Sequence, residues 1–373
     1  MTRPFIPVNE PLLDGNERKY LDECLDSGWI SSEGPFVRRF EEAFAARVQR
    51  KFGVAVCNGS AALDVAVAAL EIGPGDEVIM PTFTIISCAA SVVRAGGTPV
   101  LVDVDPRTWN MDTSSLEACV TPRTRAIMVV HIFGLPVDMD PVVEVARRHG
   151  LRIIEDAAQA HGQTYRGREC GSFGDLSTFS FYPNKHVTTG EGGMVTTDDP
   201  ALAARCRSLR NLCFVPERRF VHDELGWNYR MTSLQAAIGV AQLERLDEFV
   251  RRKRALGARY QALLGDVTGL ELPVPALDFA HNAYWVFGVV LEDSVDFDAK
   301  EAMARLHARG IGTRPFFWPM HEQPVFRKMG LFDGQSLPHA ERIARRGFYL
   351  PSGLALGVEQ IDACAGELRE LLR

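Results

Sequence analysis

Apolar positions along this chain recur with two periods, and the switch between them sets the expected elements. Phe36, Phe40, Ala43, Phe44 and Val48 fall at helical spacing, so the pattern predicts a helix over Phe36–Val48. An earlier helix ends at Ser27, with Gly28 as its stop signal. Short apolar runs then alternate with longer helical stretches. Strands are expected at Val54–Cys57, Glu77–Met80, Pro99–Val104, Arg125–Val130 and Leu151–Glu155. Helices are expected at Ala61–Glu71, Thr82–Arg94 and Pro141–His149. Two further strands, Ser177–Phe181 and Met194–Thr197, precede a helix at Ala201–Leu209. Asn211–Trp227 is polar and aromatic and reads as a long loop. Ser233–Leu264 reads as one long helix. A strand at Tyr284–Leu291, a helix at Asp298–Arg309, a loop at Thr313–Gln323 and a helix from Glu359 to Arg373 complete the chain.

Strands alternating with helices predict an α/β fold with a mostly parallel sheet flanked by helices. Ligands of such sheets sit beyond the carboxyl ends of the strands. The length allows a large domain, 1–250, and a smaller C-terminal α+β domain, 251–373, with the Pro-rich stretch Leu272–Ala276 near the junction.

Charge and composition narrow the function. The net charge of -7, with no basic run, argues against nucleic acid as a partner. No apolar run approaches the ~20 residues of a membrane helix, and the opening MTRPFIPVNEPLLDGNE lacks the apolar core of a signal peptide. The eight cysteines form no CxxC spacing, so no metal site is expected, and free thiols in a reducing cytoplasm are.

The chemistry concentrates in Asp175–Asp199, where Lys185 lies on a turn between two strands beside Gly190-Glu191-Gly192-Gly193. A solvated loop lysine and a lysine that forms a Schiff base with a carbonyl both suit that stretch. Asn58-Gly59-Ser60 leads a strand into a helix, which suits an ordinary N-cap or an anion site. Asp156 ends a strand, where an Asp is a turn or cap residue unless its company says otherwise. Its company does. Pyridoxal 5′-phosphate needs an amine, an acid at the pyridine nitrogen, an anion pocket and a group near the ring oxygen. Lys185, Asp156, Gly59-Ser60 and Gln159 offer these, with the Ser180 hydroxyl five residues before the lysine.

Three separated motifs carry a resemblance: EDAAQAHG (Glu155–Gly162), SFYPNKHVTTGEGGMV (Ser180–Val195) and GWNYRMTSLQAAIG (Gly226–Gly239). Together they resemble the DegT/DnrJ/EryC1/StrS family of sugar aminotransferases, over nearly the whole chain. The resemblance implies PLP fold type I, the aspartate aminotransferase-like fold. It implies that Lys185 is the cofactor lysine, that Asp156 pairs with the pyridine nitrogen and that Gln159 lies near the ring hydroxyl. It gives Ser60, Ala61 and Ser180 to the phosphate. It gives Asn228 to the phosphate of a neighbouring subunit's cofactor, hence a homodimer with shared active sites. At the position of Ile85 many members place an aromatic residue over the ring, and this chain departs from that. A branch with histidine in place of the lysine acts as a 3-dehydratase; Lys185 implies transamination instead.

Further stretches, LDGNE (Leu13–Glu17), WISSEGPF (Trp29–Phe36), DPRTWNMD (Asp105–Asp112) and RPFFWPMH (Arg314–His321), are similar to members that aminate C4 of GDP-4-keto-6-deoxymannose with glutamate as donor. Close relatives use UDP- or dTDP-linked keto-sugars. A nucleotide-sugar would find an aromatic face at Trp29, a pyrophosphate fork at Arg314 and hydroxyl partners at Ser31, Ser32 and His321. Trp29 and Arg314 also suit plain surface or packing roles. A regulatory protein on the same scaffold is the alternative from another class; the intact lysine, acid and phosphate residues count against it.

Overall fold

The computed structural model describes residues 4–373. Its main sheet has seven strands: β1 (Phe52–Val56), β2 (Glu77–Pro81), β3 (Thr98–Val102), β4 (Thr124–Val130), β5 (Arg152–Asp156), β6 (Leu176–Ser180) and β7 (Gly193–Thr197). They lie in the order β1-β7-β6-β5-β4-β2-β3. Only β7 runs against its neighbours; every other pair is parallel. The strands are almost wholly buried, as expected of a sheet covered on both faces.

On one face, Phe40 and Phe44 of the helix Pro35–Arg47 pack on Phe179 and Phe181, with Ala236, Ala237 and Val240 of Ser233–Leu243 beside them. Val142 and Val145 of Met139–His149 meet Ile127 and Ile153 farther along that face, and on the other face Ala62, Val65 and Ala66 of Gly59–Ala69 pack with Ile154, Leu176 and Val195. Burial of these apolar faces, at about 25 cal/mol per Å², favours this layered arrangement.

A second, antiparallel sheet contains β8 (Leu270–Glu271), β9 (Phe287–Leu291), β10 (Arg314–Pro315) and β11 (Gly347–Leu350), ordered β8-β9-β11-β10. Its core holds Tyr260, Phe287, Leu306, Phe348 and Leu368. Position 250 lies within the helix Leu246–Leu264, and Ile6 pairs with Ile311. The segment around Ile6 thus lies against the part read as the smaller domain.

Three elements differ from the pattern reading. The expected helix Thr82–Arg94 begins only at Ser87, because Thr82 N–H first bonds the Val102 carbonyl and extends the edge of the sheet. The expected Ser233–Leu264 helix is two helices, Ser233–Leu243 and Leu246–Leu264. At the break Glu244 accepts hydrogen bonds from Asn16 and Tyr20, and Arg245 pairs with Asp14. Contacts with the N-terminal segment thus fall at the break, where apolar periodicity carries no signal. The helix Pro338–Arg346 has an apolar stripe of only Ala340, Ile343 and Ala344 and was not expected. All eight cysteines are free. Among the described residues, no helix is long and apolar enough to cross a membrane.

Candidate active site

The parallel strands deliver their carboxyl ends to one edge of the sheet, and a cavity of about 550 Å³ lies there. It falls within the size range of small-molecule sites. β1 leads into Asn58-Gly59-Ser60, β5 ends at Asp156, and β6 ends at Ser180. Gly59, Ser60, Ile85, Asp156, Gln159, Ser180 and Lys185 all line this one cavity. Trp285, Phe317 and Tyr349 close it from the second sheet and its loops.

Lys185 sits on the connection between β6 and β7. Its backbone N–H bonds the Tyr182 carbonyl at 2.9 Å, closing a turn after Pro183. The amine makes no hydrogen bond or ion pair with another described residue and lies 3.5 Å from the centroid of the Trp285 ring. Burial brings its pKa down to about 7, against the pull of the Asp156 carboxylate upward, and Lys253 adds to the fall. A neutral amine is the nucleophilic form.

Asp156 is buried at 3 % exposure. Its Oδ1 accepts from Ala158 N–H at 3.0 Å and its Oδ2 from the Cys88 thiol at 3.4 Å. Burial raises its pKa, and these two donors oppose the rise. An acid in this setting gains from a cationic partner, because opposite charge favours its ionised form. Beside it Gln159 Oε1 accepts from Phe133 N–H at 2.8 Å, which fixes the amide.

The helix Gly59–Ala69 points its N-terminus at the cavity. Asn58 Oδ1 caps it by accepting from Ala61 N–H at 2.8 Å. That bond uses the Ala61 donor, and Ala61 is buried behind the wall of the cavity rather than on it. Gly59 and Ser60 have no acceptor within the helix. A Cβ on Gly59 would come within 2.6 Å of Ser180 Cβ, so only glycine lets the helix start seat on the end of β6. The hydroxyls of Ser60 and Ser87, 2.7 Å apart, and of Ser180 stand around it.

Besides Ala61, five residues lie off the cavity in this chain. Trp29, Ser31 and Ser32 line a separate surface groove with Asn211, Phe214 and Arg230. Asn228 bridges to Asn211 beside that groove. Arg314 is exposed next to Pro315, which does line the cavity, and among the described residues its guanidinium bonds only the Thr313 carbonyl, at 3.2 Å. The sixth outlier is a correction. His321 is 1 % exposed, with Nδ1 on Thr82 Oγ1 at 2.8 Å and Nε2 on Glu341 at 3.0 Å. With both ring nitrogens engaged it serves packing between the chain halves and offers nothing to a hydroxyl in the cavity.

Sequence reasoning missed Trp285, Cys88 and the pair Glu155–His131 beneath Asp156. Glu155 accepts from Phe173 N–H at 2.8 Å, Gly174 N–H at 3.1 Å and Ser177 Oγ at 3.1 Å, and lies 3.0 Å from His131 Nε2. His131 Nδ1 accepts from Val137 N–H at 3.1 Å, so Nε2 carries the proton given to Glu155. The charged pair next to Asp in EDAAQ was the available signal for this network.

The residues present fit pyridoxal 5′-phosphate. An amine without hydrogen-bond acceptors, a buried carboxylate with a raised pKa and a helix start with free donors share one cavity. On its floor Thr178 Oγ1, whose residue pairs in register with Asp156, is buried without a partner among the described residues. Fold and site therefore define a pyridoxal-phosphate-dependent aminotransferase. The family model of the DegT/DnrJ/EryC1/StrS aminotransferase family matches residues 11–369, and the chain belongs to that family. It is 48% identical over 370 residues to GDP-perosamine synthase of Caulobacter vibrioides, with 99% of both chains covered. It is 38% identical over 358 residues to GDP-perosamine synthase of Vibrio cholerae, covering 96% of each. Among solved structures it resembles S. venezuelae DesV in complex with a ketimine intermediate, with a TM-score of 0.90, 37% identity and coverage of 100% of this chain and 99% of that one.

Proposed function

We propose that this chain transfers the amino group of glutamate to C4 of GDP-4-keto-6-deoxymannose, giving the 4-amino-4,6-dideoxy sugar. The 48% identity over 99% of both chains to GDP-perosamine synthase of Caulobacter vibrioides carries the choice of sugar. Pyridoxal phosphate, when bound, supplies the carbonyl that carries the amino group and a ring that takes up electron density. Lys185 would hold the cofactor through its side-chain nitrogen and, as a free amine, would accept and return a proton at Nζ. A pKa of about 7 suits both tasks. Asp156 holds the proton on the ring nitrogen. Gln159 would meet the ring oxygen, and Ile85 would supply an aliphatic contact at the mouth. Gly59, Ser60 and Ser180, with Ala61 behind them, bind the phosphate through helix-start donors and hydroxyls.

The partner reading belongs to the same proposal. Asn228, Trp29, Ser31 and Ser32 sit together on a surface away from this chain's own cavity. A homodimer that sets this surface against a neighbour's cavity brings them to the cofactor phosphate and the nucleotide-sugar there. Arg314, exposed at the cavity edge, pairs with the pyrophosphate. The division into a cofactor-binding part, 1–250, and a smaller part, 251–373, and a cytoplasmic location are proposed with it, the first supported by the two separate sheets.

The test is a panel of GDP-, UDP- and dTDP-linked 4-keto-6-deoxy sugars, each incubated with glutamate and the holoenzyme and read by product mass. GDP-4-keto-6-deoxymannose should react fastest. An equal or better rate with a UDP- or dTDP-linked sugar would reject the GDP assignment and leave the aminotransferase standing.

A further inference from the structure

Trp285 touches the Lys185 turn twice. Its indole Nε1–H donates to the Asn184 carbonyl at 2.7 Å, on the residue just before the lysine. Its ring face lies 3.5 Å from Lys185 Nζ. One side chain therefore contacts the root of the lysine and its tip.

Trp285 is itself held firmly. Its N–H bonds the Phe133 carbonyl at 3.0 Å. Its carbonyl accepts from the buried Lys253 Nζ at 2.9 Å, and the same Nζ donates to the Ser352 carbonyl. A Cβ on Gly134, at φ +96°, would come within 2.6 Å of Trp285 N, so a glycine there permits the close approach of the two backbones. The indole is 4 % exposed.

We propose that Trp285 is a positioning residue for Lys185, fixing both the backbone at its root and the amine at its tip. A lysine stem is flexible and has many rotamers. The hydrogen bond to Asn184 sets where the stem begins. The ring face holds the lysine nitrogen, by its charge while protonated and by an N–H contact to the ring once neutral, and confines it to the cavity wall. The amine then waits within reach of an incoming carbonyl instead of searching for it, which is an orientation effect on the rate of attachment. The side chain comes from the segment leading into β9, so the second sheet takes part in arranging the lysine of the first.

This inference rests on Lys185 being the cofactor lysine, and the test separates the two. Full-length protein freed of cofactor is prepared as wild type, Trp285→Phe and Trp285→Leu. Two quantities are measured: the rate of pyridoxal 5′-phosphate attachment, by absorbance and by mass after borohydride, and the Kd for pyridoxamine 5′-phosphate. The latter has no carbonyl and does not attach to lysine. Trp285→Phe keeps a ring face and loses the Asn184 bond; Trp285→Leu loses both. Attachment should slow about threefold in Phe and about tenfold or more in Leu, as loss of one and then both contacts implies. Pyridoxamine phosphate should bind within about twofold of wild type in both, because its binding does not use the lysine. Unchanged attachment in either variant, or an equal loss in both measurements, would overturn the proposal. Should the Leu variant not fold, the Phe variant decides. A wild-type protein that attaches cofactor elsewhere would instead remove the reading of Lys185.

Discussion

Lys185 and Asp156 line the same cavity and form no ion pair with each other. The amine rests against Trp285, and the carboxylate is engaged by Ala158 N–H and the Cys88 thiol. A direct bridge would tie up the amine as an ammonium and the acid as its counter-ion. Kept apart, the two groups are free for opposite ends of one flat cofactor.

On the proposed role of Asp156, Asp156→Asn removes the charge that would hold a proton on the ring nitrogen. Turnover should fall at least about 10²-fold, roughly 2.7 kcal/mol of barrier, with bound cofactor retained, since phosphate and lysine contacts are untouched. Steady-state kinetics beside the absorbance of bound cofactor checks this. A rate near wild type would remove the role given to Asp156.

The Lys185 amine predicts a pH dependence. Burial lowers its pKa from 10.5 to about 7, so the reactive neutral form is lost only below that value. In protein freed of cofactor, the attachment rate should rise about tenfold per pH unit below 7 and level off above it. A rate that keeps rising toward pH 10 would show an ordinary lysine.

Glu155 should be a stability residue rather than a catalytic one. Burial pushes its pKa up, but His131 and the N–H groups of Gly171 and Phe173 outweigh that and bring it to about 2. Its folded pKa lies below the unfolded one, so its contribution is full above pH 4.5 and is lost as pH falls toward 2. Glu155→Gln should cost about 3–5 kcal/mol in urea unfolding at pH 7, because the donors around it lose a charged acceptor. The deficit should shrink in acid. An equal deficit at pH 7 and pH 3 would contradict the linkage.

Much of this site was legible because its chemistry is local. Asp156, Lys185 and Gly59-Ser60 each sit at the end of a strand, and strand ends of a parallel sheet converge. Trp285 meets Asn184 across 101 residues and His321 meets Thr82 across 239, and no local pattern records either contact. His321 reads as a polar donor in RPFFWPMH until Glu341, on an unexpected helix, occupies its second nitrogen. Trp29, Ser31 and Ser32 were assigned to substrate, yet in a single chain they open onto another groove.

That groove motivates a complementation test. Lys185→Ala and Asn228→Ala subunits, each weak or inactive alone, are mixed under conditions where exchange is verified. A shared site predicts hybrid dimers with one site carrying both lesions and one carrying neither, so activity should partly recover. Exchange without recovery would mean that Asn228 does not serve a neighbour.

The most direct measurement concerns attachment itself. The holoenzyme is reduced with borohydride, digested, and every lysine-containing peptide is weighed. Lys185 should carry the reduced pyridoxyl phosphate at close to one per chain, and the buried Lys253 and the exposed lysines should carry none. Cofactor on another lysine, or on no lysine while the protein turns over, would contradict the site built around Lys185.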